Sequence, residues 1–121
     1  MSGDDLKPLY FVGSARKDMQ KFPRAARYDV GFDLYRVQQG KTPGTAKHLK
    51  GFSGVMEIVE RYDTDTYRAV YVANLGGDVY VLHCFKKKSK RGIKTPQQDI
   101  ELIRQRLRTA QLQSQEGEKK Q

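Results

Sequence analysis

Two periods divide this chain into elements. Pro8-Leu9-Tyr10-Phe11-Val12 predicts a first strand, with Pro8 tolerable only at its start or on an edge. Gly13 breaks it, and Ser14 can cap a short helix by accepting a hydrogen bond from a free N–H of the first turn. That helix ends near Phe22, because Pro23 restricts the residue before it. Pro23 suits the first turn of a second helix. There Ala26, Val30, Leu34 and Val37 recur at spacings of four, four and three, the helical period. Tyr28, Phe32 and Tyr35 widen this apolar stripe, and Gly40 fits the left-handed residue after the helix end.

Residues 41–54 read as a loop, with Pro43, three glycines and the basic residues Lys41, Lys47, His48 and Lys50. The period then drops to two. Over residues 55–62, Met56 and Ile58 point one way, while Val55, Glu57, Val59 and Arg61 point the other. Asp63-Thr64-Asp65 is a turn, residues 66–74 are a third strand, and Gly76-Gly77 is a two-residue hairpin signal. The fourth strand begins apolar at Val79, Tyr80, Val81 and Leu82 and runs to about residue 87. Thr95-Pro96-Gln97-Gln98 combines an N-cap, a helix-starting proline and a glutamine able to complete a capping box. Ile100, Ile103, Leu107 and Ala110 then share one helix face. Arg104, Arg106 and Arg108 sit late, where they complement the helix dipole. The order β-α-α-β-β-β-α predicts an α+β fold: a small antiparallel sheet with helices packed on one face. Residues 1–7 read as a flexible N-terminus, 8–110 as a single domain, and 111–121 as a disordered polar tail.

Length and composition narrow the functional classes. A chain of 121 residues supports one core. A formal net charge of +9 points to nucleic acid, an anionic membrane or an acidic protein as partner. No apolar segment approaches membrane-spanning length, and the start MSGDDLK lacks the regions of a signal peptide. The lone Cys84 permits no intramolecular disulfide and lies in an apolar strand, so a reducing cytoplasm is the expected compartment.

Candidate chemistry concentrates after the fourth strand. Lys86, Lys87, Lys88, Lys90, Arg91 and Lys94 place six cations in nine positions, with no acid among them. Such a cluster attracts phosphates and releases counterions. Arg68 is unusual inside a strand. It can pair with Glu57 or Glu60 across the hairpin, or hold a phosphate through two hydrogen bonds. Arg61, Arg68 and the lysine cluster lie within reach of one concave surface if neighbouring strands present them together. His83 suits general acid–base work by its ordinary pKa, yet its alternation with Val79, Val81 and Phe85 equally fits a core residue. His48 reads as a surface loop residue. Tyr62, Tyr67, Tyr71 and Tyr80 can stack on bases or pack within strands. No Cys/His set suits zinc, no glycine-rich phosphate loop precedes a helix, and no metal or other cofactor is expected.

Four pieces of sequence carry a resemblance: Glu57-Ile58; Tyr67-Arg68-Ala69-Val70-Tyr71; Val81-Leu82-His83-Cys84-Phe85-Lys86-Lys87; and Lys94-Thr95-Pro96. Together they resemble the RelE/ParE toxin superfamily, most closely its phage-derived HigB-like branch, over residues 8–110. The resemblance implies the toxin of a type II toxin–antitoxin system, a ribosome-dependent, metal-free mRNA endonuclease that uses the ribose 2′-hydroxyl as nucleophile. By position Arg68 matches the arginine near the scissile phosphate, and Lys86 and Lys87 the basic pair ending the last strand. His83 is a further candidate for proton transfer. Lys50, Arg61, Lys88, Lys90, Arg91 and Lys94 are the expected RNA-binding residues. A helix-turn-helix antitoxin, the ribosome and mRNA are the implied partners, with no membrane. The chain departs from the branch at Val59, where an arginine is usual and Arg61 on the same strand face can substitute. It departs again at Cys84, usually glycine, and in a longer loop over residues 88–93. Two other activities fit the charge: gyrase inhibition by binding, as on the ParE side, and nucleic-acid binding without catalysis.

Overall fold

A computed structural model describes residues 5–88 and 95–119. The elements run β1 (Leu9–Phe11), α1 (Ala15–Gln20), α2 (Arg24–Gln38), β2 (Ala46–His48), β3 (Val55–Tyr62), β4 (Asp65–Leu75), β5 (Asp78–Lys88) and α3 (Gln97–Lys119). The architecture is the expected mixed α+β, with one strand more than the pattern predicts. That strand, β2, is three residues from the expected loop, too short for an alternation to register. The sheet order is β1-β5-β4-β3-β2. β2 to β5 pair antiparallel, while β1 lies parallel to β5, with Leu9 opposite Val79. Both residues of the Gly76-Gly77 turn have positive φ, 60° and 82°, as a tight hairpin between right-twisted strands demands.

Helices cover both faces of the sheet rather than one. Ala26, Val30, Leu34 and Val37 of α2, with Ala15 and Phe22, pack on Ile58, Ala69, Tyr71, Val79 and Val81. On the other face Ile103, Leu107 and Ala110 of α3 pack with Val55, Val70, Val72, Tyr80 and Leu82. The central strands are therefore apolar on both sides, a continuous pattern that does not say how many layers cover it. Tyr28, Phe32 and Tyr35 do not widen the buried stripe of α2; all three face outward.

The β4–β5 ladder shifts register twice, between Val70 and Tyr71 and between Val72 and Leu75, and the first shift bears on the site. Val70 lies opposite His83, yet the next residue, Tyr71, lies opposite Val81, so Leu82 is an extra residue on β5. Before this bulge the odd-numbered Val79 and Val81 face α2; after it the even-numbered Cys84 does. Arg106 of α3 secures the bulge. Its Nη1 donates to the Leu82 carbonyl at 3.0 Å and its Nη2 to Ser14 Oγ at 2.9 Å. Ser14 consequently makes no capping bond to the α1 backbone. Its hydroxyl donates instead to Asp18 Oδ2 at 2.8 Å. Gly13 is required twice over: its φ is +58°, and an added Cβ would lie 2.9 Å from Arg106 Nε. Arg106 thus serves as a clamp between sheet and helices in mid-helix, not as a partner of the helix dipole.

Both ends of the domain are better anchored than their composition predicts. Lys7 Nζ donates to the Ala73 carbonyl at 3.2 Å and to Asn74 Oδ1 at 3.0 Å, and Lys7 N to the Gln38 carbonyl at 2.9 Å. α3 continues to Lys119 where a disordered tail is expected from residue 111. Leu, Gln, Glu and Lys are strong helix formers, and Gln113 and Ser114 border the same hollow as Tyr10 and Tyr80 of the sheet.

An acidic cluster joins α2 to β3. Asp29 accepts from the Tyr62 hydroxyl, and buried Asp33 accepts from Thr45 Oγ1 at 3.0 Å. Glu60 lies beside them. Burial first, then its hydrogen bond with Asp33 and repulsion from Asp33 and Asp29, push its carboxyl from the usual 4.5 up to about 8. A raised carboxyl favours the protonated folded state, so the contribution is full below pH 4.5 and fades as pH climbs through 8. Glu60→Gln is expected to remove that slope and to raise the melting temperature above pH 8, read from thermal melts across this range. Arg106→Met is expected to cost about 1.5–3 kcal/mol in urea denaturation, whereas the exposed Arg108→Met should stay within about 0.5 kcal/mol of the parent.

Candidate nucleic-acid interface

One end of the α3-facing side of the sheet forms a cleft of about 420 Å³, lined by Lys47, His48, Lys50, Glu57, Arg68 and Thr95 among others. Its floor is set by strand register. Val59 lies opposite Arg68, Arg61 opposite Thr66, and Thr66 opposite Lys87. Alternation puts Glu57, Arg61, Thr66, Arg68 and Lys87 on one side of the sheet. β2 adds the wall, with Lys47 opposite Glu57.

Arg68 is nearly buried and held from two sides. Its Nη1 bonds to Glu57 Oε2 at 3.2 Å, and its Nε donates to Thr66 Oγ1 at 3.1 Å. The Thr66 hydroxyl in turn donates to the Lys87 carbonyl at 2.9 Å. Glu57 is only 1% exposed. Of the two carboxylates open to Arg68 from the sequence, Glu57 is the partner; Glu60 points to α2 and its acids.

Lys87 stands beside the cleft, on the Arg68 side of the sheet. Its Nζ is shielded from solvent and has no hydrogen-bond partner. Burial above all, and then the charges of Arg68 and Lys47, lower its pKa from 10.5; Glu57 and Asp99 offset this in part. An ammonium crowded in this way gives up a proton more readily than a surface lysine, or is neutralised by an arriving anion.

Strand alternation separates the basic pair, and the bulge decides which lysine faces which side. Lys87 turns to Arg68, whereas Lys86 faces the opposite side of the sheet, where it shares a hollow of about 520 Å³ with Asp18, Lys21, Phe22, Tyr67 and Cys84. Arg61 is exposed on the Arg68 side, and Lys88 ends β5 exposed, opposite Asp65. Lys90, Arg91 and Lys94 lie outside the described residues. His83 does not line the cleft. The bulge turns it beneath the start of α3, where Nε2–H donates to Asp99 Oδ1 at 2.7 Å and the ring stacks on Phe85. Nδ1 of His83 is buried and has no partner. Asp99 thus links His83 to the neighbourhood of Lys87, a role visible only once α3 is docked.

Sequence reasoning missed Lys47 and treated His48 as remote; both line the cleft because the short β2 pairs with β3. Burial keeps the Cys84 thiol up at about 12, which makes it inert. Tyr67, Tyr71 and Tyr80 are buried in the two cores and offer no ring face to a base. Among the described residues no group of three or more His, Cys, Asp or Glu side chains is placed to hold a metal ion, and no helix is long and apolar enough to cross a membrane.

The chain thus combines a small five-stranded sheet, helices on both faces and a cleft lined by cations at one end. Residues 17–108 match the family described as Phage derived protein Gp49-like (DUF891), and the chain belongs to that family, a phage-derived, toxin-like group. No curated protein and no solved structure matches the chain.

Lys87→Met, which replaces an unpartnered ammonium by an apolar chain of similar length, is expected to raise stability by on the order of 1 kcal/mol. The same change should weaken binding of single-stranded RNA and reduce its salt dependence by about one counterion. Urea denaturation and anisotropy titrations over a salt series check the two effects.

Proposed function

We propose that this protein is the toxin of a type II toxin–antitoxin pair and that it cuts mRNA on the ribosome, in the cytoplasm, without a metal. The observation that carries this reading is the closeness of the unpartnered Lys87 ammonium to Arg68, on one side of the sheet beside the cleft. Membership of a toxin-like family supports it. The scissile phosphate would sit against Arg68, with Lys47, Lys50 and Arg61 gripping the flanking backbone. The ribose 2′-hydroxyl attacks the adjacent phosphorus and the 5′-oxygen leaves, giving a 2′,3′-cyclic phosphate and a 5′-hydroxyl end. Negative charge grows on the equatorial oxygens, where a fixed guanidinium stabilises it more than it stabilises the ground state. Lys87, with its lowered pKa, takes or delivers the proton that moves. The hydrogen-bonded His83–Asp99 pair, on the same side of the sheet, is the second group open to proton transfer. Lys86, on the other face, would bind the chain where it leaves the cleft. A helix-turn-helix antitoxin would be the partner that silences the protein.

The direct test must respect the buried ion pair. Arg68→Ala alone would strand Glu57 and cost about 3–5 kcal/mol. Arg68→Met with Glu57→Leu removes both charges and keeps the volume, an exchange that is often neutral for stability. In a cell-free translation reaction the parent protein is expected to generate new mRNA 5′ ends inside codons, and the double variant about 10²–10³-fold fewer. Intact mRNA with the parent, or equal cleavage by the double variant, would overturn the reading. Intact mRNA together with inhibited DNA supercoiling would instead place the protein with the gyrase binders.

A further inference from the structure

The outward face of α2 is built unlike the rest of the surface. Tyr28, Phe32 and Tyr35 stand on it at spacings of four and three, 73%, 50% and 42% exposed. These spacings bring the three rings into one stripe. Arg24, Arg27 and Arg36 flank them, all exposed, and the Arg36 guanidinium lies over the Phe32 ring at 5.7 Å. The helix's two acids are already engaged: Asp29 accepts from Tyr62, and Asp33 is buried and accepts from Thr45. The opposite stripe of Ala26, Val30, Leu34 and Val37 is locked into the core, so this face is preformed. Beside Tyr28 a hollow of about 590 Å³, lined by Arg24, Ala25, Arg27, Tyr28 and Asp29, is wide enough for an anchoring side chain.

We propose that this aromatic and arginine face of α2 is a docking surface for an acidic, amphipathic helical segment of another protein. Aromatic residues and arginine are the side chains that dominate binding energy at protein interfaces. Three guanidiniums with no free carboxylate between them call for Asp and Glu on the partner, which they bind through paired N–H groups. A second copy of this chain fits poorly, because a two-fold interface would set arginines against arginines. Nucleic acid fits less well than peptide, since the centre of the surface is a stripe of three exposed rings, which the apolar face of a helix covers and a sugar–phosphate backbone does not. The surface is also separated from the Arg68 cleft by the thickness of the sheet: α2 lies on the Val81 side and the cleft on the α3 side. A partner held here can therefore bind while the cleft stays open, and the inference stands whether or not the cleft cuts RNA.

The test uses the full chain and three labelled probes in anisotropy titrations. One is a glutamate-rich amphipathic helical peptide of about 20 residues with leucines at helical spacing. The second is the same peptide with lysine for every glutamate, and the third a single-stranded RNA oligonucleotide. The acidic peptide is expected to bind saturably and the lysine peptide not at all. Tyr28→Ser with Phe32→Ser, and separately Arg36→Glu, should each weaken the acidic peptide at least tenfold without lowering the melting temperature. Arg68→Met with Glu57→Leu should leave peptide binding unchanged, which keeps a failure of the nuclease reading distinct from a failure of this one. The proposal is overturned if the acidic peptide does not bind, or binds the α2 variants as tightly as the parent. It is overturned equally if those variants lose RNA binding and the peptide shows none, or if they abolish a concentration-dependent dimer seen in sedimentation.

Discussion

Everything at the cleft depends on one carboxylate. Glu57 sits almost completely out of water among Arg68, Lys87 and Lys47, and bonds directly to the first of these. Either charge alone in that position would be buried without a counter-ion, at a large cost in stability. The pair fixes the direction of the Arg68 fork through Glu57 and Thr66, so no ordering is left to do when an anion arrives. One negative charge nevertheless does not balance three positive ones. The surplus is concentrated on Lys87, the group with no partner. The cores on either side hold this excess of positive charge in place.

Those cores divide the molecule into two working sides. The face under α3 carries the cleft, Lys87 and the His83–Asp99 hydrogen bond. The face under α2 carries the acidic cluster of Asp29, Asp33 and Glu60 and, on its outer surface, the exposed rings. Thr45 ties the two together: its hydroxyl donates to Asp33 on α2, and its carbonyl accepts from Val59 N at 3.0 Å, at the entrance to the strand that brings Lys47 and His48 to the cleft. The wall of the cleft is therefore fastened to the helix on the far side of the sheet.

Much of this was legible in the residues. The Gly76-Gly77 hairpin, the period-two strands, the helical spacing of Ala26, Val30, Leu34 and Val37, and the helix start after Pro96 are local signals, and the elements lie where those signals put them. The pairing of Arg68 with Glu57 was one of two open options, and strand register chose between them. What could not be read was set by tertiary contact. β2 exists because β3 offers it an edge. The two helical layers follow from strands apolar on both sides, a pattern that does not count layers. The aromatic residues of α2 do not widen the stripe of Ala26, Val30, Leu34 and Val37: at about 100° per residue they fall on the opposite side of the helix and so face outward. The tail of α3 has composition too polar to look ordered but strong helix formers and a sheet beside it.

The extra residue at Leu82 has a wider consequence. Two neighbouring lysines with the same chemistry are assigned opposite destinations by nothing more than an odd or even count from that point. Inserting or deleting one residue between the bulge and Phe85 would exchange them without altering either side chain. The functional identity of a lysine here is thus a property of strand parity, stored in a backbone kink and guarded by the Arg106 side chain from across the molecule.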